Sequence, residues 1–191
     1  MKPRSTALAT PAGRAGPLAG TLRAGIAAVL ISAAIGLAGC TPDPAPQPTP
    51  TPLFASEAEA FTAAEQVYRD YVEAANARRT GTSAEPESFL VGNALEDDIS
   101  SQRLLEERKV HVTGNNVLTE FRGTAFDSRT SSVEAGVCLD VSASRVISQD
   151  GADITPADRD SLVSIRVRMV SIGASLKISE STPSEKPCVA H

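Results

Sequence analysis

Residues 133–141 read Val-Glu-Ala-Gly-Val-Cys-Leu-Asp-Val, and this stretch has the clearest strand pattern in the chain. Its odd-numbered positions are all apolar, whereas its even-numbered positions are charged or small and include Cys138. Alternation with a period of two is typical of a β-strand that buries one face and leaves the other against water or a cavity. We therefore expect a central strand over these residues, in an antiparallel sheet.

Segments on both sides of this strand show extended patterns that predict further strands. These segments cover residues 110–113, 117–122, 145–148, 163–169 and 176–179. Gly114 is expected to form a bulge, and Arg145–Ser148 is expected to continue the central strand beyond a kink. Asp150-Gly151 is a turn signal, and Thr155 is expected to cap a short helical turn. Together the segments predict a sheet of about four strands.

Helical patterns come before the strands. Ser56 and Glu59 have the spacing of a capping box. Apolar residues then recur every three or four positions to about Ala77, which predicts an amphipathic helix. A short helix is expected at 86–90, and Asn93 is expected to cap a further helix. Helices followed by alternating strands predict an α+β domain, with N-terminal helices packed on the antiparallel sheet.

The first 39 residues have the organisation of a bacterial signal peptide. They contain four Lys or Arg residues and no acidic residue, and they end in an uncharged apolar run over residues 24–39. The alternative is a retained transmembrane helix, which needs about 20 predominantly apolar residues. This run is shorter and rich in glycine and alanine, so we expect residues 1–39 to be removed.

The tetrapeptide Leu37-Ala38-Gly39-Cys40 directly follows the apolar run and resembles the lipobox of bacterial lipoproteins. The resemblance implies that Cys40 receives a diacylglycerol thioether and becomes the first residue of the mature chain, on the extracytoplasmic face of the cell membrane. Two or more acyl chains would make the anchor stable, because each buried methylene contributes about 0.8 kcal/mol. The alternative is that Cys40 is an ordinary thiol.

Residues 40–55 are expected to form a tether between the lipid and one folded domain over residues 56–191. Proline occupies every second position from Pro42 to Pro52, which excludes a helix and favours extended polyproline II. At about 3.1 Å per residue, the tether would hold the domain roughly 40–50 Å from the bilayer. A docking ligand for a small domain is the alternative, but the spacing P-x-x-P is absent from this segment.

Cys138 and Cys188 remain once Cys40 is acylated, and an exported chain most simply joins two such cysteines in a disulfide. Two free thiols, or a metal-binding pair without further ligands, are the alternatives.

Residues 40–191 carry 14 Lys or Arg against 23 Asp or Glu, which argues against binding to nucleic acid. Motifs for a phosphate-binding loop, a zinc site or a serine nucleophile are absent, so we expect no cofactor and no metal.

The folded domain resembles small Gram-positive surface lipoproteins with a nuclear-transport-factor-2-like, cystatin-like cone. The resemblance is carried by four stretches, Ala63–Val72, Cys138–Ser142, Thr155–Arg159 and Pro187-Cys188. It implies a curved sheet wrapped around the first helix, with a conical cavity between them. Most such lipoproteins have no established activity, whereas some soluble relatives are isomerases or cyclases. A shared fold therefore does not decide the function.

Acid–base chemistry in such a cone would require an Asp, Glu or His and a partnering donor inside the cavity. Glu134 and Asp140 share the polar face of the central strand, and they would form a carboxylate pair if that face lined the cavity. A solvated sheet face is the alternative. Arg166 and Arg168 are expected to pair with these carboxylates across strands.

Three aromatic residues complete the set of candidates. Tyr68 and Tyr71 are expected in the core or the cavity wall, and His111 is expected on an exposed strand position. We therefore expect a non-catalytic module that binds a small apolar molecule, a cell-wall component or a neighbouring envelope protein. The alternative is an extracytoplasmic acid–base enzyme of the isomerase or cyclase kind.

Overall fold

Two α-helices precede six β-strands in residues 53–188, which are the residues that the computed structural model describes. The elements are α1 (Glu57–Arg79), a 3-10 helix (Pro86–Phe89), α2 (Gly92–Arg108), β1 (Val110–Thr113), β2 (Val117–Asp127), β3 (Ser132–Asp140), β4 (Arg145–Ser148), β5 (Leu162–Ile172) and β6 (Ser175–Pro183). The predicted signal peptide, the lipobox with Cys40 and the tether up to Pro52 lie outside the described residues. Within residues 53–188, neither α-helix combines the length and the apolar character needed to cross a membrane.

The strands form two antiparallel sheets. An open four-stranded sheet has the order β2-β3-β5-β6, and β1 pairs with β4 in a separate two-stranded sheet. This arrangement confirms the predicted α+β class, with helices before an antiparallel sheet of four strands. It also confirms that the alternating stretch around Val137 is an interior strand of that sheet.

The core lies between the helices and the apolar face of the four-stranded sheet, and α1 and β3 supply much of it. Val133, Ala135 and Val137 on β3, and Ala64 and Tyr68 on α1, are each at most 1 % exposed. Small alanine side chains on both elements allow the helix to approach the sheet closely. Burial of these apolar surfaces is the main favourable contribution to the stability of the domain.

The start of α1 agrees with the capping-box prediction in its main part. The Ser56 hydroxyl accepts a hydrogen bond from the Glu59 backbone amide at 3.2 Å. The Glu59 carboxylate reaches back, but it accepts from the Ala55 amide at 2.8 Å and not from the Ser56 amide. The two bonds fix the entry of the chain into α1 in the manner of a capping box.

The start of α2 differs from the prediction that Asn93 caps it. Val91 occupies the N-cap position without a side-chain hydrogen bond, and the helix begins at Gly92. The Val91 amide donates to the Ile178 carbonyl at 2.9 Å, next to a parallel bridge between Leu90 and Ile178. The contact with the edge of β6 therefore sets the start of this helix, and the expected capping by Asn93 is wrong.

Three further local predictions are wrong, because each residue or segment makes a contact other than the expected one. Gly114 forms no bulge; it has φ +77°, and a Cβ there would overlap the Ala143 carbonyl, so only glycine fits. Arg145–Ser148 does not continue β3, because it pairs with β1. Thr155 caps no helix; its hydroxyl accepts a hydrogen bond from the Val146 amide at 2.8 Å. The patterns identified extended and turn segments correctly, but contacts distant in sequence select their partners.

Candidate functional site

A pocket of about 450 Å³ lies where the C-terminal half of α1 faces α2 and β1. We call it the helix pocket. Its polar wall includes Tyr71, Arg79, Gln102 and His111. Its apolar wall consists of Ala75, Leu105, Val110 and Val112. Binding sites for small molecules have volumes of about 300–1,000 Å³, so the helix pocket has the size of such a site, with a more polar lining than is usual.

Tyr71 and Tyr68 lie three residues apart on α1 but have different roles. The ring of Tyr71 lines the helix pocket, and burial raises the pKa of its phenol, with a further contribution from the Asp98 carboxylate. Its hydroxyl therefore stays neutral and can donate or accept a hydrogen bond. Tyr68 is 1 % exposed and packs against Tyr71 and Phe121, with ring centroids 5.8 and 6.3 Å away. Tyr68 is thus a core residue.

Arg78 and Asp98, which line the helix pocket, belong to an ion-pair network. Two Arg78 nitrogens donate to the Asp98 carboxylate at 3.0 and 2.9 Å, and Arg78 also contacts Glu87. The Asp98 side chain is 12 % exposed, so this pair ties the end of α1 to α2 in a partly desolvated setting. Because Asp98 is engaged by Arg78, its carboxylate is poorly placed to act as a general base.

Arg79 brings a positive charge to the helix pocket. It is half-buried, and among the described residues it forms no salt bridge. One nitrogen donates to the Asn76 amide oxygen at 3.3 Å, and burial lowers the pKa of the guanidinium. A guanidinium has five N–H donors, so several remain for a bound molecule. The sequence analysis missed Arg79, although its spacing of four from Ala75 continues the apolar stripe of α1.

His111 is exposed on β1 and lines the same pocket as Tyr71. This exposure agrees with the alternation along β1, which predicted an exposed position for His111. Asp98 and Glu106 also line the pocket, but among the described residues neither forms an ion pair with His111. A general base is usually oriented by a third group, so without such a contact the arrangement suits binding better than proton transfer.

The polar face of the four-stranded sheet carries a second concavity of about 350 Å³, which we call the outer groove. Side chains from β2, β3 and β5 form its floor, and the C-terminal residues Ser184–Pro187 form one wall. Glu134 is exposed in this groove and lies opposite Arg168 in the register of β3 and β5. The predicted partner of Glu134 is therefore adjacent, although Arg168 is closer to Glu180, at 3.9 Å.

Asp140 does not join Glu134 in a carboxylate pair. The two residues are six positions apart on one strand, which places their Cα atoms about 20 Å apart at roughly 3.3 Å per residue. The Asp140 carboxylate instead accepts a hydrogen bond from the Ser142 amide at 2.8 Å. Hydrogen bonds from the Ser142 side chain and then its backbone lower the pKa of Asp140. This carboxylate closes a turn at the end of β3.

The sulfur atoms of Cys138 and Cys188 lie at disulfide-bonding distance, with their Cα atoms 5.7 Å apart. This geometry is compatible with the bridge expected from the cysteine count. Cys138 lies on the polar face of β3, so a bond would tie the C-terminal segment across that face.

In the part of the chain that the structure describes, no three His, Cys, Asp or Glu side chains are arranged to hold a metal ion. Comparison with known proteins finds no matching family model and no matching curated protein.

Proposed function

We propose that this chain is a lipoprotein anchored through Cys40 to the extracytoplasmic face of a cell membrane, and that its folded domain is a non-catalytic binding or accessory module. The lipobox-like tetrapeptide Leu37-Ala38-Gly39-Cys40, directly after an uncharged apolar run, carries the proposal. The disulfide-distance pair Cys138 and Cys188 supports it, because disulfides persist mainly in oxidising compartments outside the cytosol.

The helix pocket is the proposed binding site for a small, mainly apolar molecule. Leu105 and Val112 supply apolar wall, while Arg79, Gln102 and the neutral Tyr71 hydroxyl can bind one polar group of the ligand. The alternatives to a small molecule are a cell-wall component and a neighbouring envelope protein. We also propose that the sheet curves into a cone like that of nuclear-transport-factor-2-like domains.

The anchor is tested by expressing the chain and its Cys40→Ala variant in a bacterium that acylates lipoproteins. Mass spectrometry of the membrane fraction should find a diacylglycerol-modified N-terminal Cys40, and the variant should lose the membrane association. Cys138→Ala is the matched control, because it removes a different cysteine and should stay anchored. Unchanged membrane association of the Cys40→Ala variant would refute the proposal.

The binding role is tested with the apolar fluorescent probe N-phenyl-1-naphthylamine. The probe should bind the full chain, and Ala75→Asp should weaken binding several-fold, because it places a charge in the apolar wall of the helix pocket. Ala74→Asp on the same helix does not face the pocket and serves as the control. Equal binding by both variants would show that the probe does not occupy this pocket.

The acid–base enzyme is the second candidate function, and one observation favours it. Tyr71 and His111 line the same pocket, so a neutral donor and an imidazole are near each other. Glu134 and Asp140 do not line this pocket, whereas His111 and Glu106 do and are the candidate bases. A general base must contact the bound molecule. His111 ring signals in NMR that do not respond to saturating N-phenyl-1-naphthylamine would therefore exclude His111 as the base, and Glu106→Gln tests the other candidate.

A further inference from the structure

Two arginines flank a glycine in the middle of the outer groove. In the register of the sheet, Gly136 on β3 lies opposite Arg122 on β2 and opposite Arg166 on β5. Neighbouring strands are about 4.8 Å apart, so the Cα atoms of the two arginines are about 10 Å apart, with Gly136 between them. Because glycine has no side chain, the space above residue 136 is open to both cations.

The Arg122 side chain already reaches into this space. Its Nη2 atom lies 3.8 Å from the position that a Cβ of residue 136 would occupy. Arg166 lines the same groove from the other side. Both arginines therefore line one groove, from the two sides of residue 136.

Arg122 and Arg166 have no acidic partner among the described residues, since neither forms a salt bridge there. The adjacent row of the sheet is different. There Arg168 lies opposite Glu134 in register and contacts Glu180 at 3.9 Å. That row is net negative, with Glu134 and Glu180 against Arg168, whereas the row through Gly136 carries two cations without a salt-bridge partner among the described residues.

The other charged groups of the groove constrain the ligand further. Glu120 lies two residues before Arg122 on β2 and faces Cys138 in register. Glu185 and Lys186 lie on the wall formed by the C-terminal segment. An anionic group above Gly136 would therefore have two carboxylates nearby, Glu120 and also Glu134, which lines the groove two residues before Gly136 on β3. These carboxylates repel a second anion but accept hydrogen bonds from hydroxyl groups.

We propose that the outer groove binds a phosphate monoester that also carries hydroxyl groups. The phosphate lies above Gly136 between Arg122 and Arg166, and the hydroxyl groups point towards Glu120. Two guanidinium groups suit a phosphate dianion, because the planar guanidinium binds phosphate oxygens in a bidentate manner. This site is separate from the helix pocket and does not depend on the proposed lipid anchor.

The C-terminal segment completes the groove and connects it to the cysteine pair. The Ser184 amide donates to the Ser164 carbonyl at 2.9 Å, which starts the segment along β5. A bond between Cys138 and Cys188 then fixes its far end. The wall formed by Glu185 and Lys186 is thus held at both ends, and its position depends on the oxidised cysteines.

The site is tested by isothermal titration calorimetry on the full chain purified in detergent, with sn-glycerol 3-phosphate, inorganic phosphate and glycerol as probes. Glycerol 3-phosphate should bind more tightly than phosphate, and glycerol should not bind. Arg122→Ala and Arg166→Ala should each weaken binding about tenfold, because each removes charge-assisted hydrogen bonds. Arg168→Ala, a paired arginine on the same face, should change affinity less than twofold. Equal affinity in all three variants would overturn the proposal.

Three further measurements test whether the ligand is a monoester, whether it lies above Gly136 and whether the C-terminal wall contributes. A phosphodiester of glycerol, which imitates a lipid headgroup, should bind more weakly than the monoester; tighter binding would overturn the assignment of a monoester. Gly136→Val should abolish binding by filling the space while the melting temperature stays within a few degrees, and retained binding would contradict the site. Cys188→Ser should weaken binding several-fold, and unchanged affinity would refute the role of the C-terminal wall.

Discussion

Replacing Gly123 on β2 by alanine should destabilise the domain, because this glycine lies directly under the ring of Phe61 on α1. A Cβ at residue 123 would overlap the ring carbons, far inside the roughly 3.5–4.0 Å of a favourable carbon–carbon contact. The neighbouring atoms belong to a ring packed between helix and sheet, so relief requires a shift of α1 away from β2. The contact therefore limits how closely the two elements pack.

The expected magnitude follows from overpacking. An extra methyl group in a well-packed core typically costs about 1–3 kcal/mol of unfolding free energy. For a domain of the size described here, about 1 kcal/mol corresponds to about 3–4 °C in melting temperature. Gly123→Ala should therefore lower the melting temperature by about 3–12 °C.

The assay is thermal unfolding followed by circular dichroism, with two controls from the same sheet. Gly136→Ala on β3 should change the melting temperature little, because the nearest atom to its Cβ is a mobile Arg122 nitrogen at 3.8 Å. In a Phe61→Ala background, Gly123→Ala should lose most of its penalty, since the overlapping ring is gone. Equal melting temperatures for the Gly123→Ala and Gly136→Ala proteins would refute the reasoning.

Three further predictions concern the cysteine pair, the helix cap and the tyrosines. Cys188→Ser should lower the free energy of unfolding by up to about 4 kcal/mol in a denaturant titration, as a closed loop of 50 residues implies; equal stability of the oxidised parent would show that no bond forms. Ser56→Ala should cost about 1 kcal/mol by losing the N-cap, whereas Thr62→Ala inside α1 should cost less, and equal losses would contradict the cap. Burial raises the pKa of both Tyr68 and Tyr71, so their contribution to stability is complete below about pH 10 and is lost as the pH rises further. Because the chain has two tyrosines and no tryptophan, a tyrosinate absorbance titration reports these rings, and ordinary titration near pH 10 in the folded protein would contradict their burial.

Features that depend on neighbouring residues could be predicted from the sequence. The cap at Ser56 and the alternation around Val137 are local, because each follows from the backbone geometry of one helix turn or one strand. The class of the fold follows from the order of such elements, and the structure shows that order.

Features that depend on distant partners could not be predicted. Arg145–Ser148 has an extended pattern whatever strand it pairs with, and nothing in it favours β1 over a continuation of β3. The start of α2 depends on a bridge from Leu90 to Ile178, 88 residues along the chain. The pocket residue Arg79 and the facing pair Arg122 and Arg166 likewise depend on the packing of elements and on the strand register, which local patterns do not encode.

The bridge between Leu90 and Ile178 also affects how copies of the chain meet. Strands at the border of a sheet offer unpaired amides and carbonyls, which recruit strands from other molecules and start aggregation. At Ile178 this position is already taken, because the Val91 amide is bonded to its carbonyl. The connector between the two helices therefore blocks strand pairing at this part of the β6 edge. If many copies are anchored close together on a membrane, this contact prevents them from pairing there into a continuous sheet.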